Sequence, residues 1–174
     1  MTDLIILSML LPGPKHGYQL KQEAGIVLGQ ALHNNLVYPL LRRFMTRKWV
    51  KRRTAAGQRG QTKHLYSLTA LGREQLIARL GTYTDQEARS AEGFRVRVGL
   101  FWVLQPDARH RILDGRETFL RARLARLGGV ETGFPLNRHA REVIVHMRGE
   151  TESELAWIAN LRTLEKSRKD VAHD

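Results

Sequence analysis

Residues 33–46, HNNLVYPLLRRFMT, carry two faces and a breaker. With 100° between successive residues, Val37, Leu40, Leu41 and Phe44 fall at i, i+3, i+4 and i+7. That is the apolar face of a helix laid on a core. Asn35, Tyr38, Arg42 and Thr46 gather on the opposite face. Pro39 sits between them, although a proline in a helix interior removes a donor and costs roughly 3 kcal/mol. A helix start at about His33 to Asn35 puts Pro39 near the end of the first turn or just inside the second. If Asn35 is the cap, Pro39 gives up only the bond to the cap's carbonyl and tilts that turn.

The polar face offers an amide, a phenol and a guanidinium. Asn pairs bidentately with adenine and Arg with guanine, while Tyr and Arg equally hold phosphates. The same face would also serve as the solvated side of any helix. Charge adds weight to the first reading. The net charge is +12, and residues 1–84 carry 13 Lys and Arg against 3 Asp and Glu, whereas residues 85–174 carry 16 against 14. A basic field focused on one half attracts polyanions, either nucleic acid or an anionic membrane.

The elements around this stretch extend the pattern. Leu4 to Leu11 reads as a short buried helix stopped by Pro-Gly-Pro. HGYQLKQEAG reads as a second helix ending near Ala24-Gly25, followed by a linker of small residues. After the opening stretch, Trp49 to Arg53 and Lys63 to Leu68 are extended around a Gly/Gln/Arg tip, a β-hairpin. Thr69 suits the cap of the next helix, ALGREQLIARL. Helix, helix, helix, hairpin and helix make a helix-turn-helix with a wing. In that arrangement the third helix enters the major groove, and Arg52, Arg53, Arg59 and Lys63 of the wing lie along the backbone or in the minor groove. Pro39 then sets a bend that aims Asn34, Asn35 and Tyr38 at the groove.

The second half reads as helices only. DQEARSAEGFRVRVGLFWVL is one, and the next starts at Pro106 and stops at Gly128-Gly129. A long helix runs from about 138 to 168, with Val143, Met147, Leu155, Ile158, Leu161 and Leu164 mostly at three- and four-residue steps. Trp157 widens this stripe beyond one contact face, which favours a partner chain on the second side over a single crowded core.

Several functions lack their residues. The chain has no cysteine, so disulfides, thiolate metal sites and cysteine nucleophiles are out, and a reducing cytoplasm fits. The apolar run near the N-terminus is too short to span a bilayer and lacks the flanks of a signal peptide. No enzyme motif occurs, and no cofactor is implied. His139, Glu142 and His146 share a helix, but i and i+7 are about 10 Å apart along the axis, too far for one ion.

His16-Gly17-Tyr18, then Val37-Tyr38-Pro39-Leu40-Leu41-Arg42-Arg43-Phe44, then Tyr66-Ser67-Leu68-Thr69 with Gly72 resembles the PadR family of bacterial transcriptional regulators over about residues 4–80. The start of the third helix departs from the family pattern, with His33-Asn34-Asn35-Leu36 in place of Ser-Pro-Gly-Thr, which suggests different operator bases. The resemblance implies a winged helix, a homodimer through C-terminal helices, and a repressor on a pseudo-palindromic operator that a small aromatic or lipophilic effector releases. It also implies that Tyr38 and its neighbours carry recognition, while Tyr18 and the wing hold the backbone.

The expected fold is mainly α, and α+β only by the wing. Residues 1–82 form a winged-helix DNA-binding domain, and residues 83–174 a helical domain for dimerisation and ligand sensing. His16, Lys21, Arg43 and His64 complete the candidate DNA contacts, the two histidines near phosphate. Phe101, Trp102 and Trp157 are the candidate effector pocket, with a plain core as the other reading. A non-specific RNA-binding or nucleoid-associated protein is the alternative function. It shares the charge, but RNA modules more often stack bases on aromatic residues of a sheet.

Overall fold

The computed structural model describes residues 2–29, 31–56 and 62–171. The chain divides into two compact units, Met1–Thr82 and Tyr83–Asp174.

In the first unit, α1 (Thr2–Ser8) buries four consecutive residues, Leu4, Ile5, Ile6 and Leu7, so it is covered all round. Asp3 pairs with Arg79 at 2.7 Å. Burial works against the Asp3 charge, but the Arg79 guanidinium outweighs it and holds the carboxyl below its ordinary range. Strand β1 (Lys15–His16) leads directly into α2 (Gly17–Leu28). This helix runs past Ala24-Gly25, where the sequence predicts its end. One internal glycine costs only about 1 kcal/mol, and Leu20 and Ala24 bury completely along its inner side. Gly29, at φ 64°, ends it in a conformation that glycine adopts without strain.

Helix α3 (Asn34–Thr46) buries Val37, Leu41 and Phe44 fully and Leu40 partly, as the apolar spacing predicts. His33 is the N-cap, without a side-chain bond to the helix, and its carbonyl accepts from the N–H of Leu36 at 3.1 Å and of Val37 at 3.4 Å. Pro39 therefore lies in the second turn and has no N–H to give the Asn35 carbonyl. Both residues are exposed, so water can satisfy that carbonyl, and the helix tolerates the break.

Lys48, at φ 58°, turns the chain out of α3. The Trp49 N–H donates to the Phe44 carbonyl at 2.9 Å, and the two rings stack at 5.9 Å. Strands β2 (Val50–Ala56) and β3 (Thr62–Leu68) pair antiparallel, with Val50 opposite Leu68 and Ala56 opposite Thr62. The sheet has three strands where the sequence predicts two, in the order β1-β3-β2, with Lys15 opposite Tyr66 and His16 opposite Leu65. A strand of two residues has no period to read, so only its pairing reveals it.

Thr69 joins the hairpin to α4 (Ala70–Gly81). Its N–H donates to the Trp49 carbonyl at 3.0 Å, its hydroxyl donates to the Lys48 carbonyl at 2.7 Å, and the Gly72 N–H donates to that hydroxyl at 2.9 Å. A β-carbon on Gly72 would lie 2.0 Å from the Trp49 carbonyl oxygen. The Thr69-to-Gly72 spacing thus combines a cap with a close backbone approach.

In the second unit, α5 (Asp85–Ala88), α6 (Ala91–Gly99) and a 3-10 turn (Phe101–Val103) replace the single helix that the sequence predicts. The Ser90 side chain accepts from the Gly93 N–H at 2.9 Å and starts α6 afresh, while Thr84 and Glu87 form a capping box on α5. Helix α7 (Pro106–Gly133) starts on Pro106 and continues through Gly128-Gly129, against expectation. Its last turns are held by α8 (Arg138–Val171), where Arg148 binds Glu131 at 2.7 Å.

Ion pairs lie along the length of this helical hairpin. Arg109 binds Glu165 at 2.7 Å, Arg162 binds Asp114 at 2.6 Å and Glu117 at 2.7 Å, and Arg116 binds both oxygens of Glu154 at 2.8 Å. Arg116 is buried and also donates to the Ala88 carbonyl at 2.6 Å. Arg97 is fully buried, pairs with Glu87, and lies 5.1 Å from the Tyr83 ring centre. Burial pushes the Tyr83 hydroxyl, which among the described residues has no hydrogen-bond partner, up to about 12.

Two substitutions check this account of the first unit. Gly72→Ala should lower its stability by about 1–3 kcal/mol or more, because backbone must move to admit the methyl. Pro39→Ala should raise stability by about 0.5–1.5 kcal/mol by restoring the bond to the Asn35 carbonyl. Denaturant unfolding of each variant reads both. No gain from Pro39→Ala would mean that another group already satisfies that carbonyl.

Candidate nucleic-acid interface

The outer face of α3 is open. Asn34, Asn35, Tyr38, Arg42, Arg43 and Thr46 are all exposed. Among the described residues, the side chains of Asn34, Asn35 and Arg42 have no hydrogen-bond or ionic partner. The Arg43 guanidinium lies 5.8 Å from the Phe44 ring centre, and the Thr46 hydroxyl donates to the Arg42 carbonyl at 3.2 Å. These groups stand on a helix whose opposite face is fixed in the core, so the set is rigidly presented.

Beside α3, a cleft of about 460 Å³ is lined by His16, Gly17, Tyr18, Gln19, Tyr38, Lys63, His64 and Tyr66. It brings together five residues that the sequence marks as DNA contacts: His16, Tyr18, Tyr38, Lys63 and His64. The β1–β3 pairing makes this possible, since it carries His16 to the wing. The His16 Nδ1 donates to the His64 carbonyl at 3.2 Å. Tyr18 is 60% exposed, and its hydroxyl accepts from Gln22 at 2.8 Å. The Lys21 ammonium lies 5.4 Å from the Tyr18 ring centre. Lys15 is not a free cation here. It pairs with Glu23, and that hydrogen bond holds the Glu23 carboxyl below its ordinary range.

On the wing, Lys51, Arg52, Arg53 and Lys63 are exposed, and among the described residues none has an ionic partner. Arg53 pairs with Leu65 and Ala55 with Lys63, so alternation puts Lys51, Arg53 and Lys63 on one face of the hairpin. Arg52, opposite the buried Tyr66, belongs to the other. Arg59 lies outside the described residues. Sequence reasoning passed over Lys51, although it shares the basic run with Arg52 and Arg53. It also passed over Arg47, whose guanidinium covers the Trp49 ring at 5.0 Å.

In the second unit, the three aromatic residues marked as an effector pocket have different surroundings. Phe101 is buried, Trp102 is 54% exposed, and Trp157 packs edge-on against Phe94 with centres 5.4 Å apart. A cleft of about 470 Å³ beside Trp157 is lined mainly by charged residues, among them Arg95, Arg116, Arg123, Glu150 and Glu154. The residues marked for dimerisation also divide. Ile158 is buried within the unit, and Met147, Leu155 and Leu161 are half-buried. Val143 and Leu164 are exposed, as is Val145, which the spacing did not single out. No helix among the described residues is long and apolar enough to cross a membrane.

Residues 6–78 match the transcriptional regulator PadR-like family. No curated protein matches the chain. Among solved structures, a protein of Thermoplasma acidophilum assigned as a transcriptional regulator is 31% identical, with a TM-score of 0.43, over 45% of this chain and 75% of that one. Bacillus subtilis PadR, solved in complex with operator DNA, is 16% identical over 94% of this chain and 98% of that one, with a TM-score of 0.46. A PadR-family transcriptional regulator of Eggerthella lenta is 25% identical over 44% of this chain and 66% of that one, with a TM-score of 0.40. The members of this family are transcriptional regulators, not enzymes. Through residues 6–78, which hold the helix-turn-helix and the wing, the chain belongs to the PadR-like family of transcriptional regulators.

Proposed function

We propose that the chain is a sequence-specific DNA-binding repressor that grips a pseudo-palindromic operator as a homodimer. One observation carries this reading: among the described residues, the open face of α3 presents Asn34, Asn35 and Arg42 unpartnered, and Lys51, Arg52, Arg53 and Lys63 of the wing have no ionic partner. Such a face suits base edges in the major groove, and the cations suit phosphates on either side. Two copies of α3 would enter successive major grooves about 34 Å apart.

The homodimer is supported by Val143, Val145 and Leu164, apolar residues that α8 leaves exposed, and by the family resemblance. Release by a small effector rests on the resemblance. The cleft beside Trp157 is the site we assign to it, with Arg95 and Arg123 suiting a ligand that carries an anionic group beside a planar ring.

Binding to the duplex upstream of the chain's own gene, compared with a random duplex at physiological salt, tests the function. Arg42→Ala should weaken the upstream duplex by about 1–3 kcal/mol and narrow the difference between the two duplexes. Equal affinity of the unmodified protein for both would replace the repressor with a non-specific RNA-binding or nucleoid-associated protein. Light scattering should give the mass of two chains, and Val143→Asp with Leu164→Asp should reduce it to one; a single-chain mass before substitution would remove the dimer.

A further inference from the structure

Two glycines of the first unit stand where a β-carbon would collide, and they collide with different things. At Gly72 the obstacle is the Trp49 carbonyl oxygen at 2.0 Å, which is backbone and cannot yield. At Gly17 it is Tyr38 Cε1 at 2.8 Å, with Cζ and the hydroxyl oxygen at 3.3 Å. That is the free end of a side chain, which can swing away. Gly17 is not among the glycines with positive φ, so its backbone does not demand glycine either. What the missing β-carbon secures is the position of the Tyr38 ring.

Tyr38 is 37% exposed, and among the described residues its hydroxyl has no hydrogen-bond partner. The ring rests on the first turn of α2, in the cleft whose other walls include His16, Lys63 and His64. A lysine ammonium and histidine ring N–H groups are hydrogen-bond donors suited to phosphate oxygens. A phenol O–H held among such groups is placed for an anion. The donors for base edges, Asn35 and Arg42, lie further round α3.

We propose that this cleft seats one backbone phosphate of duplex DNA, that Tyr38 donates its hydroxyl to a phosphate oxygen, and that Gly17 is a positioning residue for that hydroxyl. The proposal rests on the DNA-binding reading above, and it moves Tyr38 from base recognition to the backbone. Phosphate contacts set register and affinity for every sequence, while base contacts set discrimination. The two roles therefore separate in an experiment.

The measurement is affinity for the upstream duplex and for a random duplex, with unfolding midpoints taken alongside. Tyr38→Phe should weaken both duplexes by the same factor, about tenfold or more, as expected for a lost bond to a charged group. Gly17→Ala should do the same at an unchanged unfolding midpoint. Combined with Tyr38→Phe, it should cost nothing further, because both remove one contact. If Tyr38→Phe weakens only the upstream duplex, Tyr38 reads a base and the phosphate seat is wrong. If the two losses multiply in the double variant, Gly17 does not act through the hydroxyl. Should Gly17→Ala lower the midpoint, it must cease to do so in a Tyr38→Ala background; a drop there too overturns the role of Gly17. Wild-type protein that binds neither duplex overturns the DNA reading itself. Wild-type binding with every variant unchanged overturns only the seat.

Discussion

Trp49 is where the first unit is tied together. Its N–H closes onto the Phe44 carbonyl at the end of α3, its ring stacks on Phe44, and its carbonyl receives the Thr69 N–H. That same carbonyl lies where a side chain on Gly72 would stand. One peptide therefore fixes the end of α3, the base of the hairpin and the start of α4. The angle between the exposed face of α3 and the basic strands follows from this junction, because neither element can rotate without breaking a backbone hydrogen bond. The third strand adds a second tie, since the pairing of Lys15 and His16 with β3 brings the start of α2 to the wing.

The second unit is held differently. Its long helical hairpin joins α7 to α8 through arginines that reach carboxylates on the facing helix. Arg97, Arg109 and Arg116 are themselves buried. Taking such a charge out of water is expensive, and the structure meets that cost with paired carboxylates, backbone carbonyls and aromatic faces. An arginine that slipped by one turn would lose its partners, so these pairs specify the register of the hairpin as well as its contact. The near balance of charge in this half follows from the same design, with cations spent inside on carboxylates. In the first half, Arg42 of α3 and Lys51, Arg52, Arg53 and Lys63 of the wing are exposed, and among the described residues none has an ionic partner.

Much of the candidate interface was legible in the sequence. The steps of Val37, Leu41 and Phe44 predicted the buried face of α3, and so predicted that Asn35, Arg42 and Thr46 would lie outside. Thr69 read correctly as a cap, because a side-chain oxygen before a helical run has a local use. The errors came from a local cap that the apolar period hides and from a contact between distant residues. Ser90 broke a predicted helix by capping a new one, and Glu131 carried α7 past two glycines by binding Arg148. Phe101, Trp102 and Trp157 are alike in the sequence as aromatic residues, and the structure gives them separate settings: buried, exposed and edge-packed on Phe94.

By itself the sequence determined the class of fold, the basic half and the face of α3 turned away from the core. Those properties depend on period, charge and capping, which are local and can be counted along a chain. Only the tertiary structure decided what surrounds each group. It turned Lys15 toward Glu23, sank Arg97 and Arg116 into the interior, and set Tyr38 against Gly17. A side chain's partners come from residues far away in sequence, and for Gly17 the decisive feature is an atom the residue does not have.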